Sequence, residues 1–239
     1  MKTNKWAYTE EGYVKFVHKH KFIVELDITT VCNLACNNCV KLSNFKHTWH
    51  TMSISDIAIF IDGVRDKDVL VKIIGGEPTI HPNIDDIILL VADANDCILV
   101  TNGINNYTPP IDIPIENSAK MKNTQPEFHT FMEAPIDLEE YKDCDFSKGC
   151  SIADDCGYGY KNGKYYACPI APHIPIQQLV YSKLEDVQKA RPIIFSSICK
   201  YCGMFKKLGH HNKDKTKLKR TTDLVISSWW KSKGFTNEN

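Results

Sequence analysis

Hydrophobic and polar positions in the first half of the chain follow two different periods. Residues 22–28 alternate with a period of two, and residues 69–74 and 97–101 are nearly continuous apolar runs, so all three are predicted to be β-strands. Between them, the sequence SISD at residues 53–56 predicts a helix start, and apolar residues at i, i+3, i+4 and i+7 predict a second helix over residues 84–91. Strands that alternate with helices in this way predict a parallel sheet.

The pattern changes at about residue 143. Before this point, residues 111–115 are predicted to form one further strand. Beyond it, cysteines become frequent and the regular alternation of strands and helices ends. We therefore predict two domains, an α/β domain over residues 1–142 and a small cysteine-rich α+β domain over residues 143–239.

The second part of the chain contains a strong hairpin signal. Asn162-Gly163 is a favoured two-residue turn, and it separates predicted strands at residues 157–161 and 164–168. A helix is predicted around residues 184–190, and a last helix over residues 222–232.

Charge and composition exclude some classes of function. The chain has 239 residues, with 29 Lys+Arg and 29 Asp+Glu, so no overall field attracts it to nucleic acid or acidic membranes. No apolar run reaches the roughly 20 residues that span a bilayer. The N-terminal residues lack the apolar stretch of a signal peptide, so a cytoplasmic location is expected.

In the cytoplasm, the cysteines are expected to bind metal or do redox chemistry and not to form disulfides. Disulfides rarely persist in a reducing compartment, and clustered cysteines there more often bind metal. The ten cysteines are Cys32, Cys36, Cys39, Cys97, Cys144, Cys150, Cys156, Cys168, Cys199 and Cys202. The first three stand alone and the last six lie in the second part, which predicts two sites. Cys97, in an apolar strand, is expected to be a small buried hydrophobe.

Each unusual segment of the first part follows a predicted parallel strand. The cysteines follow the first strand, Gly75-Gly76-Glu77-Pro78 follows the second, and Thr101-Asn102-Gly103 follows the third. The three loops are therefore expected to converge on one edge of the sheet. Three thiolates with the spacing CxxxCxxC can hold three irons of a 4Fe–4S cluster and leave the fourth iron open, although a zinc site is the alternative.

The sequence CNLACNNC at residues 32–39 resembles the cluster loop of the radical S-adenosylmethionine (SAM) superfamily. Gly75-Gly76-Glu77-Pro78 resembles the second motif of that superfamily, and the similarity covers about residues 22–120. The resemblance implies a partial (β/α)6 barrel and an enzyme that cleaves SAM reductively to methionine and a 5′-deoxyadenosyl radical, which abstracts a hydrogen atom from a substrate. It also implies a one-electron reductant as partner, such as flavodoxin or ferredoxin.

The resemblance implies a role for each matching residue. Cys32, Cys36 and Cys39 would ligate the cluster, while SAM would occupy the fourth iron. The two glycines would let the backbone approach the methionine part of SAM, and Glu77 would accept a hydrogen bond from its ammonium group. Asn38 stands where the family commonly has an aromatic residue beside the adenine. The residues expected to contact SAM are Asn38, Gly75, Gly76, Glu77, Pro78, Thr101, Asn102, Ser118 and Lys120.

The cysteines of the second part resemble a twitch or SPASM domain, which implies an auxiliary 4Fe–4S cluster. Cys150 and Cys168 flank the hairpin, and Cys199 and Cys202 form the CxxC that such a domain needs. The first ligand is either Cys150 or Cys156, with Cys150 favoured by its spacing to Gly163. A structural zinc site that uses the same thiolates is the alternative.

The substrate is not determined by these residues. The favoured reaction is dehydrogenation of an alcohol on a sugar-like small molecule, with the auxiliary cluster as electron acceptor or substrate anchor. Modification of a peptide, or of a nucleotide or nucleic acid, is the alternative, the latter suggested only by the basic stretch at residues 206–220. A zinc-binding scaffold protein is the alternative outside enzymes.

Overall fold

Six strands form one sheet in the computed structural model, which describes residues 16–17, 19–208 and 220–236. The strands are β1 (Phe22–Thr29), β2 (Val69–Gly75), β3 (Cys97–Thr101), β4 (Ile115–Asn117), β5 (Tyr158–Lys161) and β6 (Lys164–Tyr166). Their order is β4-β3-β2-β1-β5-β6, and every pair is parallel except β5 with β6. The expected α/β fold class with a mostly parallel sheet is confirmed.

Two long helices connect the first three strands. The α-helices of the described residues are α1 (Ile54–Val64), α2 (Ile84–Ala94), α3 (Ser151–Asp155), α4 (Leu184–Ile198), α5 (Gly203–Leu208) and α6 (Ser228–Lys231). The predicted capping box starts α1, since Ser53 Oγ accepts from the Asp56 N–H (3.1 Å) and Asp56 Oδ2 accepts from the Ser53 N–H (3.3 Å). None of the described helices is long and apolar enough to cross a membrane.

The sheet has two different faces. On one face, Val24, Leu26 and Ile28 of β1 pack in a large core with the apolar sides of α1 and α2. On the opposite face, which we call the inner face, the alternate positions of β1 carry Ile23, then Glu25, then Asp27. Both carboxylates are buried, with 7% and 1% of their surface exposed. Period-two alternation thus places an apolar layer outside and charges inside.

The hairpin of the second part extends the same sheet. Asn162 and Gly163 have φ angles of 50° and 76°, as a tight hairpin turn requires. The first hairpin strand, β5, pairs in parallel with β1. Gly157 makes this possible, because a Cβ there would lie 2.1 Å from the carbonyl oxygen of Ile23. The division at residues 142 and 143 stays a prediction, and the sheet runs across it.

Two predicted elements were placed wrongly. The strand expected at residues 111–115 is β4, which begins only at Ile115, because Pro114 has no N–H to donate to a neighbouring strand. The last helix was expected over residues 222–232, but α6 spans only Ser228–Lys231. The residues before α6 instead bond to other parts of the chain, as Thr221 does with Phe128 in both directions.

Candidate functional site

The three-cysteine loop follows β1 at the carboxyl edge of the sheet. Gln125 supports it by accepting a hydrogen bond from the backbone N–H of Asn37 (2.8 Å). Burial, helped by the neighbouring Cys39 and Cys36, raises the pKa of the Cys32 thiol to about 11. The three thiols therefore share one small region, as ligands of a common group must.

Two glycines allow the loop after β2 to pack against the start of the cysteine loop. A Cβ on Gly75 would lie 2.0 Å from the carbonyl oxygen of Thr29, and one on Gly76 would lie 2.3 Å from that of Val31. The backbones are also hydrogen-bonded, from Gly76 N to Thr29 O (2.7 Å) and from Glu77 N to Val31 O (2.9 Å). Glycine was expected here for the approach of SAM, but the observed contacts of these two positions are with the cysteine loop itself.

Glu77 is fully buried and is fixed by four hydrogen bonds. Its Oε1 accepts from the N–H (3.1 Å) and hydroxyl (2.7 Å) of Thr79 and from the hydroxyl of Thr101 (2.7 Å). Its Oε2 accepts from the N–H of Asn102 (2.7 Å). A carboxylate has about four acceptor positions, two on each oxygen, so the remaining capacity lies on Oε2. The expected bond to the ammonium of SAM stays a prediction and would use this oxygen.

Asn102 joins the end of β3 to the cysteine loop. Its side-chain N–H groups donate to Asn33 Oδ1 (2.8 Å) and to the sulfur of Cys32 (3.8 Å). A donor aimed at a ligand sulfur is one of the means by which a protein sets the potential of an iron–sulfur cluster. Asn102 is predicted to lie near SAM; its side chain contacts the cysteine loop, and the residue also lines the cavity at this edge.

The segment after β4 completes this edge of the sheet. Ser118 Oγ donates to the carbonyl of Thr101 (3.0 Å), and the N–H of Lys120 donates to the carbonyl of Asn102 (3.0 Å). A cavity of about 150 Å³ lies at the junction. Its lining residues are Cys39, Val40, Lys41, Ile74, Gly75, Gly76, Val100, Thr101, Asn102, Ser118, Lys120 and Phe128. The structure thus brings six of the predicted SAM contacts together with one predicted cluster ligand.

Asn38 has a different partner from the one expected. Its side chain is fully buried, its Nδ2 donates to the carbonyl of Asp223 (2.7 Å), and its Oδ1 accepts from the N–H of Val225 (3.1 Å). The amide therefore holds the segment before α6 against the cysteine loop. The predicted contact of Asn38 with adenine stays a prediction. Asn38, Glu77 and Pro78, all buried, are the predicted SAM contacts that do not line the cavity.

Four cysteines of the second part line one apolar cavity of about 10 Å³. They are Cys150, Cys168, Cys199 and Cys202. Burial raises the pKa of the Cys150 thiol to about 12, and that of Cys199 is raised by burial and by the other three thiols. Cys156 does not line this cavity, and its charged neighbours include Glu25 and Lys72 of the inner face. The arrangement therefore matches the ligand set that contains Cys150.

Both sets of thiols fit a thiolate-bound cluster in the chemistry of their donor atoms. The described residues contain no group of three His, Cys, Asp or Glu side chains arranged to hold a single metal ion. Because it is the thiolate that binds metal, loading either site would release the protons of its thiols. Two larger surface cavities, of about 470 and 650 Å³, contain none of the predicted ligands.

A buried network of charges on the inner face was not predicted. Lys41 Nζ lies 3.0 Å from Glu25 Oε2 and 2.7 Å from Asp27 Oδ1, and His173 Nε2 lies 2.8 Å from Asp27 Oδ2. Burial alone would raise the pKa of Asp27, but Lys41 and His173 hold it at about 2. Burial lowers the pKa of His173 to about 4, so this imidazole is neutral near pH 7. Two carboxylates two residues apart in an otherwise apolar strand were the available signal.

Comparison with protein-family models finds no match. A curated relative, 7-carboxy-7-deazaguanine synthase from Neisseria meningitidis serogroup B, is 37% identical over 82 residues. The match covers 34% of this chain and 36% of the relative, so the chain spans about a third of the length of the curated relative that it matches.

Solved structures give weaker likenesses. The structure of BtrN in complex with AdoMet and 2-DOIA has a TM-score of 0.45 at 10% identity, covering 85% of this chain and 98% of BtrN. Streptococcus suis SuiB bound to S-adenosylmethionine has a TM-score of 0.29 at 22% identity, covering 40% of this chain and 26% of SuiB. These scores are too low to bear on the function of the chain.

Two observations support the resemblance to the radical SAM superfamily. The CxxxCxxC loop and the Gly-Gly-Glu-Pro segment follow neighbouring parallel strands and are hydrogen-bonded to each other's backbone. The curated relative shares 37% of its residues with this chain over the matched part. The resemblance to the radical SAM superfamily expected from the sequence is confirmed by this relative over about a third of the chain.

Proposed function

We propose that this chain is an enzyme that cleaves SAM reductively and uses the resulting 5′-deoxyadenosyl radical to abstract a hydrogen atom from a polar small molecule. Cys32, Cys36 and Cys39 would hold a 4Fe–4S cluster, which supplies the single electron for this cleavage when bound. One observation carries the proposal: the cysteine loop, Glu77 and Asn102 meet at one edge of the sheet and are bonded to one another.

The residues of this edge have separate tasks in the proposal. Gly76 and Glu77 fix the position of the cysteine loop relative to β2, through their backbone hydrogen bonds to Thr29 and Val31. Glu77 is held rigid by its four donors, so Oε2 is oriented before any cation arrives. Ser118 and Lys120 close the cavity from the side of β4, where they would contact the ribose or carboxylate of SAM.

The favoured reaction is dehydrogenation of an alcohol on a sugar-like substrate. The carbon that bears the hydroxyl loses a hydrogen atom to the radical, the hydroxyl loses a proton, and the carbon loses one further electron to become a carbonyl. Four thiolates at Cys150, Cys168, Cys199 and Cys202 would hold a second cluster, which would supply the acceptor for that electron. Flavodoxin or ferredoxin would be the external reductant of the first cluster.

The proposal is tested with protein reconstituted with iron and sulfide in the absence of oxygen. Dithionite and SAM are added, and 5′-deoxyadenosine is measured for the wild type, Cys36→Ser and Cys144→Ser. We expect 5′-deoxyadenosine from the wild type and from Cys144→Ser, whose cysteine has no assigned ligand role, but none from Cys36→Ser. Stoichiometric zinc with no cleavage of SAM in any variant would instead leave the zinc scaffold as the better account.

A further inference from the structure

Lys41 lies between the two cysteine sites and touches structure belonging to each. It follows Cys39 by two residues and lines the cavity beside that cysteine. Its Nζ lies 3.4 Å from the carbonyl oxygen of Pro169, the residue directly after Cys168. The Lys41 side chain thus connects the end of the three-cysteine loop to the segment that follows Cys168.

Lys41 is also held in place by two carboxylates of β1. Only 6% of its side chain is exposed, and its ammonium group forms ion pairs with Glu25 and Asp27, both on the inner face of β1. A buried ammonium is tolerated only with such compensation, and a pair in which one partner is removed leaves an isolated buried charge. Its position is therefore set by β1 and not by either cysteine loop alone.

The loop after Cys168 is attached to the same strand at a second point. His173, which ends a short turn in that loop, bonds to Asp27 (2.8 Å), and the N–H of Ala171 returns to the carbonyl of Cys168 (3.2 Å). The loop also lies directly on β5, since a Cβ on Gly159 would be 3.0 Å from the carbonyl oxygen of Cys168. Asp27 therefore bonds to groups from both sides, Lys41 from the first site and His173 from the second.

We propose that Lys41 is a positioning residue that couples the two cysteine sites, so that a cluster at one site increases the affinity for ligand at the other. Loading the second site would fix the loop at Pro169, and through Lys41 it would fix the loop at Cys39 that faces SAM. This inference rests on the proposed function, which requires clusters at both sites. Coupling between two sites is reciprocal and amounts to about 5- to 150-fold in affinity for typical proteins.

A double-mutant cycle on the Kd of SAM tests the coupling, because SAM binds only beside the first site. The four proteins are the wild type, Cys199→Ser/Cys202→Ser, Lys41→Met and the combination, each reconstituted without oxygen and measured by equilibrium dialysis with labelled SAM. We expect loss of the second site to weaken SAM binding by about 5- to 10-fold in the wild type but less than about 2-fold in the Lys41→Met background.

Controls separate this role from a merely structural one. Lys41→Arg keeps the cation and is expected to restore the coupling. Lys46→Met removes an exposed lysine close in sequence, so in that background the loss of the second site should weaken SAM binding as much as it does in the wild type. If Lys41→Met does not fold, Lys41→Met/Asp27→Asn replaces it, because this pair removes one buried charge of each sign. Folding is checked by circular dichroism before each titration.

The outcomes distinguish the inference from the proposed function. An equal weakening of SAM binding in both backgrounds, or no weakening in the wild type, would overturn the coupling while leaving SAM binding intact. A wild-type protein that takes up no iron and binds no SAM would instead overturn the proposed function.

Discussion

Replacing Gly76 by alanine is a sharp test of how the cysteine loop is positioned. The new Cβ would lie 2.3 Å from the carbonyl oxygen of Val31 and 2.7 Å from that of Thr30. Both are backbone atoms, so no side-chain rotation can relieve the contact. The segment between β1 and Cys32 must therefore move away by about 1 Å to restore an ordinary van der Waals separation.

The expected loss of stability follows from the bonds that this movement breaks. The N–H of Gly76 bonds to Thr29 O at 2.7 Å, and the N–H of Glu77 bonds to Val31 O at 2.9 Å. Leaving a buried backbone donor or acceptor without a partner costs about 1–3 kcal/mol, so two lost bonds cost about 2–6 kcal/mol. That is a large part of the roughly 5–15 kcal/mol that stabilises a typical domain.

The assay compares urea unfolding and SAM binding for Gly76→Ala and a matched control, Gly63→Ala. A Cβ on Gly63 would meet only the hydroxyl of Tyr165, at 3.3 Å, and alanine favours the helix that contains it by about 1 kcal/mol. We expect Gly76→Ala to lose stability by the amount above and to lose measurable SAM binding, while Gly63→Ala keeps both. Unchanged unfolding and unchanged SAM affinity in Gly76→Ala would refute this reasoning.

Three further predictions concern other parts of the site. Asn38→Gly suits the φ angle of 57° but removes both bonds to the segment before α6, so stability should fall by about 1–2 kcal/mol and hydrogen exchange at Val225 should accelerate; unchanged exchange would contradict the assignment. Cys150→Ser should hold about four irons per chain and Cys156→Ser about eight, and the reverse order would favour Cys156 as ligand. For His173, the pKa falls from 6.5 to about 4 on folding, so the unfolded chain binds the extra proton and stability should decline as the pH drops from about 6.5 to about 4. His173→Gln should reduce that decline, by roughly 3 kcal/mol at most, and a wild-type slope in the variant would count against the buried neutral imidazole.

The first three strands and the first two helices could be predicted because each is specified by its own residues. β2 and β3 are apolar runs that need burial on both faces, and Ser53 with Asp56 forms a local signal for the start of α1. The three-cysteine loop follows in the same way, since it comes directly after β1, which was placed to within a residue or two.

Other features could not be predicted because their partners are distant in sequence. Asn38 bonds to residues 185 and 187 positions away, and Asp27 bonds to His173 across 146 positions. No local pattern encodes such pairs. The same reason applies to the segment before α6, whose backbone groups bond to Asn38 and Phe128 and so are not available for a helix.

The grouping of Cys150 with Cys168, Cys199 and Cys202 could be predicted only in part. Spacing to Gly163 favoured Cys150, but Cys156 is closer to the hairpin in sequence and was an alternative. In the fold, Cys150 immediately precedes α3 and lines the apolar cavity, whereas Cys156 follows α3 and lies near the charges of the inner face. The five-residue helix between them places the two thiols in different surroundings, and sequence spacing alone did not show this.

If the three-cysteine site holds a cluster with one open iron, SAM should occupy that open position. Electron paramagnetic resonance spectra of the anaerobically reconstituted, dithionite-reduced protein are recorded with and without SAM, with Cys32→Ser as the control. We expect an iron–sulfur signal whose shape changes when SAM is added to the wild type, and no such change in Cys32→Ser. A reduced cluster signal that SAM leaves unaltered, or a protein that holds zinc and gives no signal, would contradict this expectation.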